Sequence, residues 1–149
     1  MKISTKGRYG LRAMIDLASH GRSSAPVFLS EIARRQDVSE KYLEHIFSTL
    51  QKGGIVKAQR GRKGGYLLNR AADQITLNDI ISVLEGPCGN LVDCVNDVNS
   101  CSKTGTCVTR EIWALLGNKI EEVLSEYTLA SLVRMQQLKT LNDPMMYYI

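Results

Sequence analysis

Residues Leu29 to Leu68, LSEIARRQDVSEKYLEHIFSTLQKGGIVKAQRGRKGGYLL, decide the fold. Within this stretch Leu43, Ile46, Phe47 and Leu50 recur at i, i+3, i+4 and i+7, the spacing that lines one face of a helix. Ser39 stands at the N-cap position, and Val38 before it can pack on Leu43 as a hydrophobic staple. Lys52-Gly53-Gly54 supplies a cation and glycines where the helix should end. Glu40, Lys41, Glu44, His45 and Thr49 are left on the other face, free to meet a partner. A shorter helix precedes it, from a cap at about Ser30 to Gln36, with Leu29, Ile32, Ala33 and Gln36 on the packing side. Asp37-Val38-Ser39 makes the turn between the two.

After Gly54, Ile55 to Gln59 reads as a strand, Arg60 to Gly65 as a flexible tip, and Tyr66-Leu67-Leu68 as the return strand. Helix, turn, helix and basic hairpin in that order make a winged helix-turn-helix. When such a protein binds duplex DNA, its second helix lies in a major groove. The tip carries the cations Arg60, Arg62 and Lys63 among glycines. Glycine lets backbone approach a phosphate closely, and arginine gains from the concentrated negative potential of a narrow minor groove. A basic loop alone would read as a solvated hairpin; its place directly after a helix-turn-helix favours contact with DNA.

Charge is divided along the chain. Residues 1–70 hold 14 Lys/Arg against 5 Asp/Glu, a balance of +9, while residues 71–149 hold 5 against 10, a balance of −5. A densely negative partner is therefore expected at one end only, with binding that weakens steeply as salt rises. No apolar run approaches the roughly 20 residues that cross a bilayer. Met1-Lys2-Ile3-Ser4 has no signal-peptide core, so a cytoplasmic location is expected. There is no internal repeat and no low-complexity stretch.

The remaining sequence reads as mostly helical. A helix from Thr5 to about His20 places Leu11, Met14, Ile15 and Ala18 on one face and puts Lys6 and Arg8 in its first turn. Cations are poorly placed electrostatically at a helix start, so these two point to nearby phosphates or to simple solvation. Ala25 to Phe28, around Pro26, reads as a connector with a short extended piece. Thr76-Leu77-Asn78-Asp79 has the form of a capping box, opening a helix that Gly86-Pro87 stops. A loop with all four cysteines follows. The next helix, about Thr109 to Glu126, aligns Ile112, Trp113, Leu116, Ile120, Val123 and Leu124, and Thr128 caps a last helix through about Lys139.

That long helix is more apolar on one face than a small domain can cover, so the same helix in a second copy is its expected partner. A two-fold homodimer would also match palindromic operators. The alternative is that Trp113 and its neighbours close an intramolecular core. The fold class is thus mainly α with a small β-wing: a winged helix-turn-helix DNA-binding region at residues 1–70, and a helical dimerisation and cysteine-loop sensor region, with a long dimerisation helix, at residues 71–149.

Several motifs together support a family resemblance. The opening Met1-Lys2-Ile3-Ser4-Thr5-Lys6-Gly7-Arg8-Tyr9-Gly10-Leu11, the run Ser39-Glu40-Lys41-Tyr42-Leu43-Glu44, Arg60-Gly61 with Gly64-Gly65-Tyr66-Leu67-Leu68, and Trp113 early in the long helix resemble the Rrf family of bacterial transcriptional regulators over nearly the whole chain. The resemblance implies a dimeric winged-helix transcription factor. It also implies Ser39, Lys41 and Tyr42 near bases or phosphates and Arg60 in the minor groove, beside Lys6, Arg8, His45, Arg62 and Lys63 from the reading above.

Cys88, Cys94, Cys101 and Cys107 cluster in a way that, in a cytoplasmic protein, suggests metal or redox chemistry before structural disulfides. No Cys-x-x-Cys pair is present, which argues against a zinc ribbon. Thiolates suit iron–sulfur clusters. Cys94, Cys101 and Cys107 are similar to the three cluster cysteines of IscR-like members of the family, which implies an iron–sulfur cluster of the 2Fe-2S type. Where those members carry a histidine ligand, three residues after the third cysteine, this chain has Arg110, whose charged form has no lone pair for a metal. Cys88 or a carboxylate from either subunit remains open as the fourth ligand, as do redox-active thiols or zinc in place of a cluster.

The ending Met145-Met146-Tyr147-Tyr148-Ile149 is similar instead to that of CymR-like members, repressors of cysteine metabolism that act with cysteine synthase. A terminal isoleucine joins an apolar side chain to a free carboxylate, so Tyr148 and Ile149 are expected to dock in an amino-acid pocket of that enzyme, or else to pack on the dimer. An enzyme is poorly supported. Only His20 and His45 are present, and Gly61 to Gly65 lies inside a hairpin, not between a strand and a helix as a phosphate-binding loop does. The closer rival is a winged helix that docks protein and not DNA.

Overall fold

The computed structural model describes residues 2–21 and 25–142. Three helices, α1 (Thr5–His20), α2 (Leu29–Gln36) and α3 (Glu40–Lys52), lead into the antiparallel strands β1 (Val56–Gln59) and β2 (Gly65–Leu68). Four more helices follow: α4 (Leu77–Glu85), the single turn α5 (Asp93–Asn96), the long α6 (Val108–Glu126) and α7 (Leu129–Leu141). Tyr148 and Ile149 lie outside the described residues. Among the described residues no helix is long and apolar enough to cross a membrane.

Local chemistry accounts for most helix ends. Ser4 caps α1 by accepting from Gly7 N, and Ser39 caps α3 by accepting from Tyr42 N. The α4 capping box forms as expected, with Thr76 and Asp79 bonded reciprocally, and Thr128 with Ser131 repeats it at α7. Asp37, at φ 54°, closes α2 in a left-handed conformation that a short polar side chain tolerates. Gly54, at φ 72°, does the same beyond α3.

Ser30 is not a cap. The helix begins at Leu29, and Phe28, two residues before Ser30, is the N-cap without any side-chain bond. The reason lies outside the segment, because Val27 pairs with Tyr66 of the wing, its N–H donating to Tyr66 O at 3.0 Å and its carbonyl accepting from Tyr66 N at 2.9 Å. That pairing fixes the chain up to Val27, so the helix starts where the extended piece ends. The β1–β2 register runs from Val56 opposite Leu68 to Gln59 opposite Gly65. Gly65 is required there: its φ is 141°, and a Cβ would run into the Val27 carbonyl.

One core joins the two halves of the chain. Met14, Leu17, Ile32, Leu43, Ile46, Phe47 and Leu50 pack with Ile75, Ile80, Leu84 and Leu129 in a single buried cluster. Each such side chain contributes roughly 1.5–3 kcal/mol on burial. On α1 the deepest positions are Gly10, Ala13, Met14 and Leu17, with Leu11, Ile15 and Ala18 half-buried beside them. Leu129 N donates to Ile75 O at 2.7 Å and Leu77 N to Tyr127 O at 2.8 Å, clipping the starts of α4 and α7 together.

Buried Asp16 ties α1 to α2. It accepts from Arg35 Nε at 3.0 Å and Nη2 at 2.6 Å and from Gln36 Nε2 at 2.9 Å. A bidentate guanidinium with a third donor satisfies a carboxylate that burial would otherwise penalise.

The cysteine segment is not loop throughout. It contains α5 and a 3-10 turn at Val98–Ser100. Helix α6 stands apart from the core: Gly117 is its one buried residue, and Ile112, Trp113, Leu115, Leu116 and Val123 are exposed. Ile120 and Leu124, expected on the same side, are half-buried.

Candidate nucleic-acid interface and cysteine segment

With Leu43, Ile46, Phe47 and Leu50 turned inward, α3 presents Ser39, Lys41, Tyr42, Glu44 and His45 around one shallow depression. All but Tyr42 are exposed. The half-buried Tyr42 ring meets Tyr9 of α1 edge-on, with centroids 6.2 Å apart and planes at 86°. The Arg12 guanidinium lies over the Tyr9 ring, 5.2 Å from its centroid, and donates to Gln36 Oε1 at 3.1 Å. Tyr9 therefore joins the beginning of α1, with Lys6 and Arg8, to the beginning of α3, and Arg12 joins it to the end of α2. Sequence reading missed both; their i, i+3 spacing on α1 beside Lys6 and Arg8 was the available signal.

The wing is held at its base. Tyr66 packs on Phe47 with ring centroids 4.8 Å apart, and its backbone pairs with Val27. Burial, followed by the nearby Glu44 charge, pushes the Tyr66 phenol above its ordinary pKa. At the tip Arg60, Gly61, Arg62 and Lys63 are exposed. A cationic tip on a fixed base and a polar helix on a fixed core are an arrangement that can read a groove and grip a backbone.

The cysteines occupy different environments, and all four are free thiols. Cys88 is 8% exposed. Burial, then the Glu85 and Glu121 charges, pushes its thiol up, and it donates to Gly86 O at 3.8 Å. Cys107 sits at the N-cap of α6, its sulfur 3.1 Å from Thr109 Oγ1. That hydrogen bond, then the backbone N–H of Arg110, pulls its pKa down. Cys94 is half-buried and Cys101 exposed.

Arg110 acts as a clamp, donating from Nε to Cys94 O at 2.7 Å and from Nη2 to Val95 O at 3.0 Å. Thiols are suitable donors for iron–sulfur chemistry. In this arrangement they do not converge, for among the described residues no three His, Cys, Asp or Glu stand close enough together to hold a metal ion.

The fold and its exposed groups define a winged-helix DNA-binding protein. A family model described as Rrf2, iron-dependent transcriptional regulator, matches residues 3–135. The chain is 44% identical over 133 residues to the HTH-type transcriptional regulator CymR of Bacillus subtilis, covering 89% of each. The structure of B. subtilis CymR, described as that organism's global cysteine regulator, superposes with a TM-score of 0.74 at 40% identity, covering 91% of this chain and 98% of the other. IscR of T. potens gives a TM-score of 0.75 at 41% identity, covering 99% of this chain and 97% of that one. The chain belongs to the Rrf2 family of transcriptional regulators. These relatives are named as regulators, not as enzymes.

Proposed function

We propose that this regulator is a cytoplasmic homodimer that places α3 of each subunit in a major groove of a palindromic operator and the wing tip in the neighbouring minor groove. Ser39, Lys41, Tyr42 and His45 meet bases or phosphates, Arg60 enters the minor groove, and Arg62, Lys63, Lys6 and Arg8 engage phosphates. The observation that carries this reading is that α3 spends its whole apolar face on the core and leaves an uninterrupted polar face outward. In functional terms residues 1–70 read DNA and residues 71–149 assemble and sense, over a shared core.

The test is duplex binding across a salt series. Wild type should lose affinity steeply with salt and retain a site-dependent component. Replacing Arg60, Arg62 and Lys63 with alanine should reduce the salt slope by about 0.9 per lost phosphate contact. A protein-docking winged helix would show no duplex affinity even at low salt.

The signal enters through the cysteine segment. Four thiols within twenty residues and a family described as iron-dependent support an iron–sulfur cluster, with Cys94, Cys101 and Cys107 as ligands and Cys88 or a carboxylate as the fourth. When bound, such a cluster supplies a redox- and iron-responsive group. Anaerobic purification followed by iron, sulfide and zinc analysis decides among cluster, zinc and bare thiols. Equal operator affinity of the loaded and unloaded protein would refute cluster sensing.

The likeness to CymR supports a second reading, repression of cysteine metabolism together with cysteine synthase through Tyr148 and Ile149. Deleting Ile149 should then abolish binding to that enzyme; unchanged binding would remove the idea.

A further inference from the structure

A cleft of about 440 Å³ opens between the residues before α1, the end of α4 and the first turns of α6. None of the proposed DNA contacts lines it; of the cysteines Cys88 does, and Cys94, Cys101 and Cys107 do not. Its volume falls in the range of small-molecule sites, roughly 300–1,000 Å³. Trp113, Leu91 and Val92 give it an apolar wall, and Lys2 and Glu85 bring opposite charges to it.

The cleft is held in shape from several sides. Glu85 accepts a hydrogen bond from Ser4 Oγ and lies against Gly7, where a Cβ would collide with its carboxylate. A carboxylate already fixed by the fold loses little freedom when a ligand arrives. Behind it the backbones of Gly89 and Gly117 touch, so a Cβ on Gly117 would run into the Gly89 carbonyl, and Gly89 N donates to Glu121 at 3.2 Å. The chain enters this wall through Gly86, at φ 90°, and Pro87, whose ring restricts the backbone. Trp113 lines the cleft and keeps 39% of its surface uncovered.

We propose that this cleft binds a small zwitterion of amino-acid type, its ammonium on the Glu85 carboxylate, its carboxylate on the Lys2 ammonium and its apolar side chain against Trp113. A simple cation would meet Lys2 unfavourably, and a simple anion would meet Glu85 unfavourably. A neutral apolar molecule would strip water from both charges and replace it with nothing. A molecule with both charges and an apolar flank satisfies all three walls. Binding stands independently of the regulator reading; any effect on operator affinity, through the Glu85 contact with the cap of α1, rests on that reading.

Trp113 is the only tryptophan in the chain, so its fluorescence reports this cleft. The full chain is titrated with L-leucine, L-methionine and L-phenylalanine, and with the matching amine and carboxylic acid that each lack one charge. At least one of the amino acids should give a saturable change in the millimolar range or below. The one-charge analogues, Glu85→Gln and Lys2→Gln should each weaken it about tenfold, the worth of one charge-assisted hydrogen bond. Lys2 is exposed and outside every helix, so its replacement tests the contact without a folding risk. No saturation with any of the three, or equal affinity in Lys2→Gln and wild type, overturns the assignment. Operator affinity measured without amino acid is a separate readout: its absence would strike the regulator reading and leave a saturable Trp113 response standing.

Discussion

Helices α3 and α6 carry the same kind of pattern, apolar residues at helical spacing along one side, and the fold treats them oppositely. In α3 Leu43, Ile46, Phe47 and Leu50 are all 0% exposed, whereas in α6 Ile112, Leu116 and Val123 remain 48%, 44% and 52% exposed. The side of α3 left free is therefore the polar one, since its apolar side is consumed within the chain. In α6 the apolar side is surplus, and a second copy is the partner that symmetry offers most readily.

The largest contrast should come from truncation. Phe47→Ala should cost about 3–5 kcal/mol in urea unfolding, because it opens a cavity in the shared core. Leu116→Ala should cost less than about 1 kcal/mol under dilute conditions that favour the monomer. Comparable losses would mean that α6 is packed within its own chain.

Charge placed on the α6 face probes assembly. Leu116→Asp should leave the helical content of the subunit intact while converting dimer to monomer in sedimentation. Affinity for a palindromic duplex should fall at least about a hundredfold, through loss of the second half-site. A variant that remains dimeric would break the comparison.

Smaller effects sharpen it. Ser39→Ala removes the α3 cap and should destabilise the protein by about 1 kcal/mol, with a further loss of duplex affinity if Ser39 also faces DNA. In thiol alkylation of metal-free protein, Cys107 should react faster than Cys88. The α6 N-cap hydrogen bonds favour the Cys107 thiolate, while burial disfavours that of Cys88. As pH rises the Cys107 rate should level off at a lower pH than the Cys88 rate; the reverse order would contradict the two environments.

Much of this was legible in order along the chain. The period of Leu43, Ile46, Phe47 and Leu50, the Ser39 cap, the Thr76 box and the glycine-flanked hairpin all depend on groups a few residues apart, and each formed. Ser30 failed as a cap because its neighbour Val27 is bound to Tyr66, far away in sequence. Of the candidate DNA contacts, the outward set on α3 could be read from periodicity. The Tyr9, Tyr42 and Arg12 stack that braces it could not, since two separate helices contribute to it.

By itself the sequence determined which segments become helix, strand and turn, and which end of the chain is cationic, because capping, periodicity and charge are local properties. Only the tertiary structure decided which apolar face stays uncovered, where four similar cysteines acquire different environments, and that a cleft forms beside Trp113. Those outcomes depend on contacts such as Ser4 with Glu85, 81 residues apart, and contacts of that range are chosen by packing the whole core.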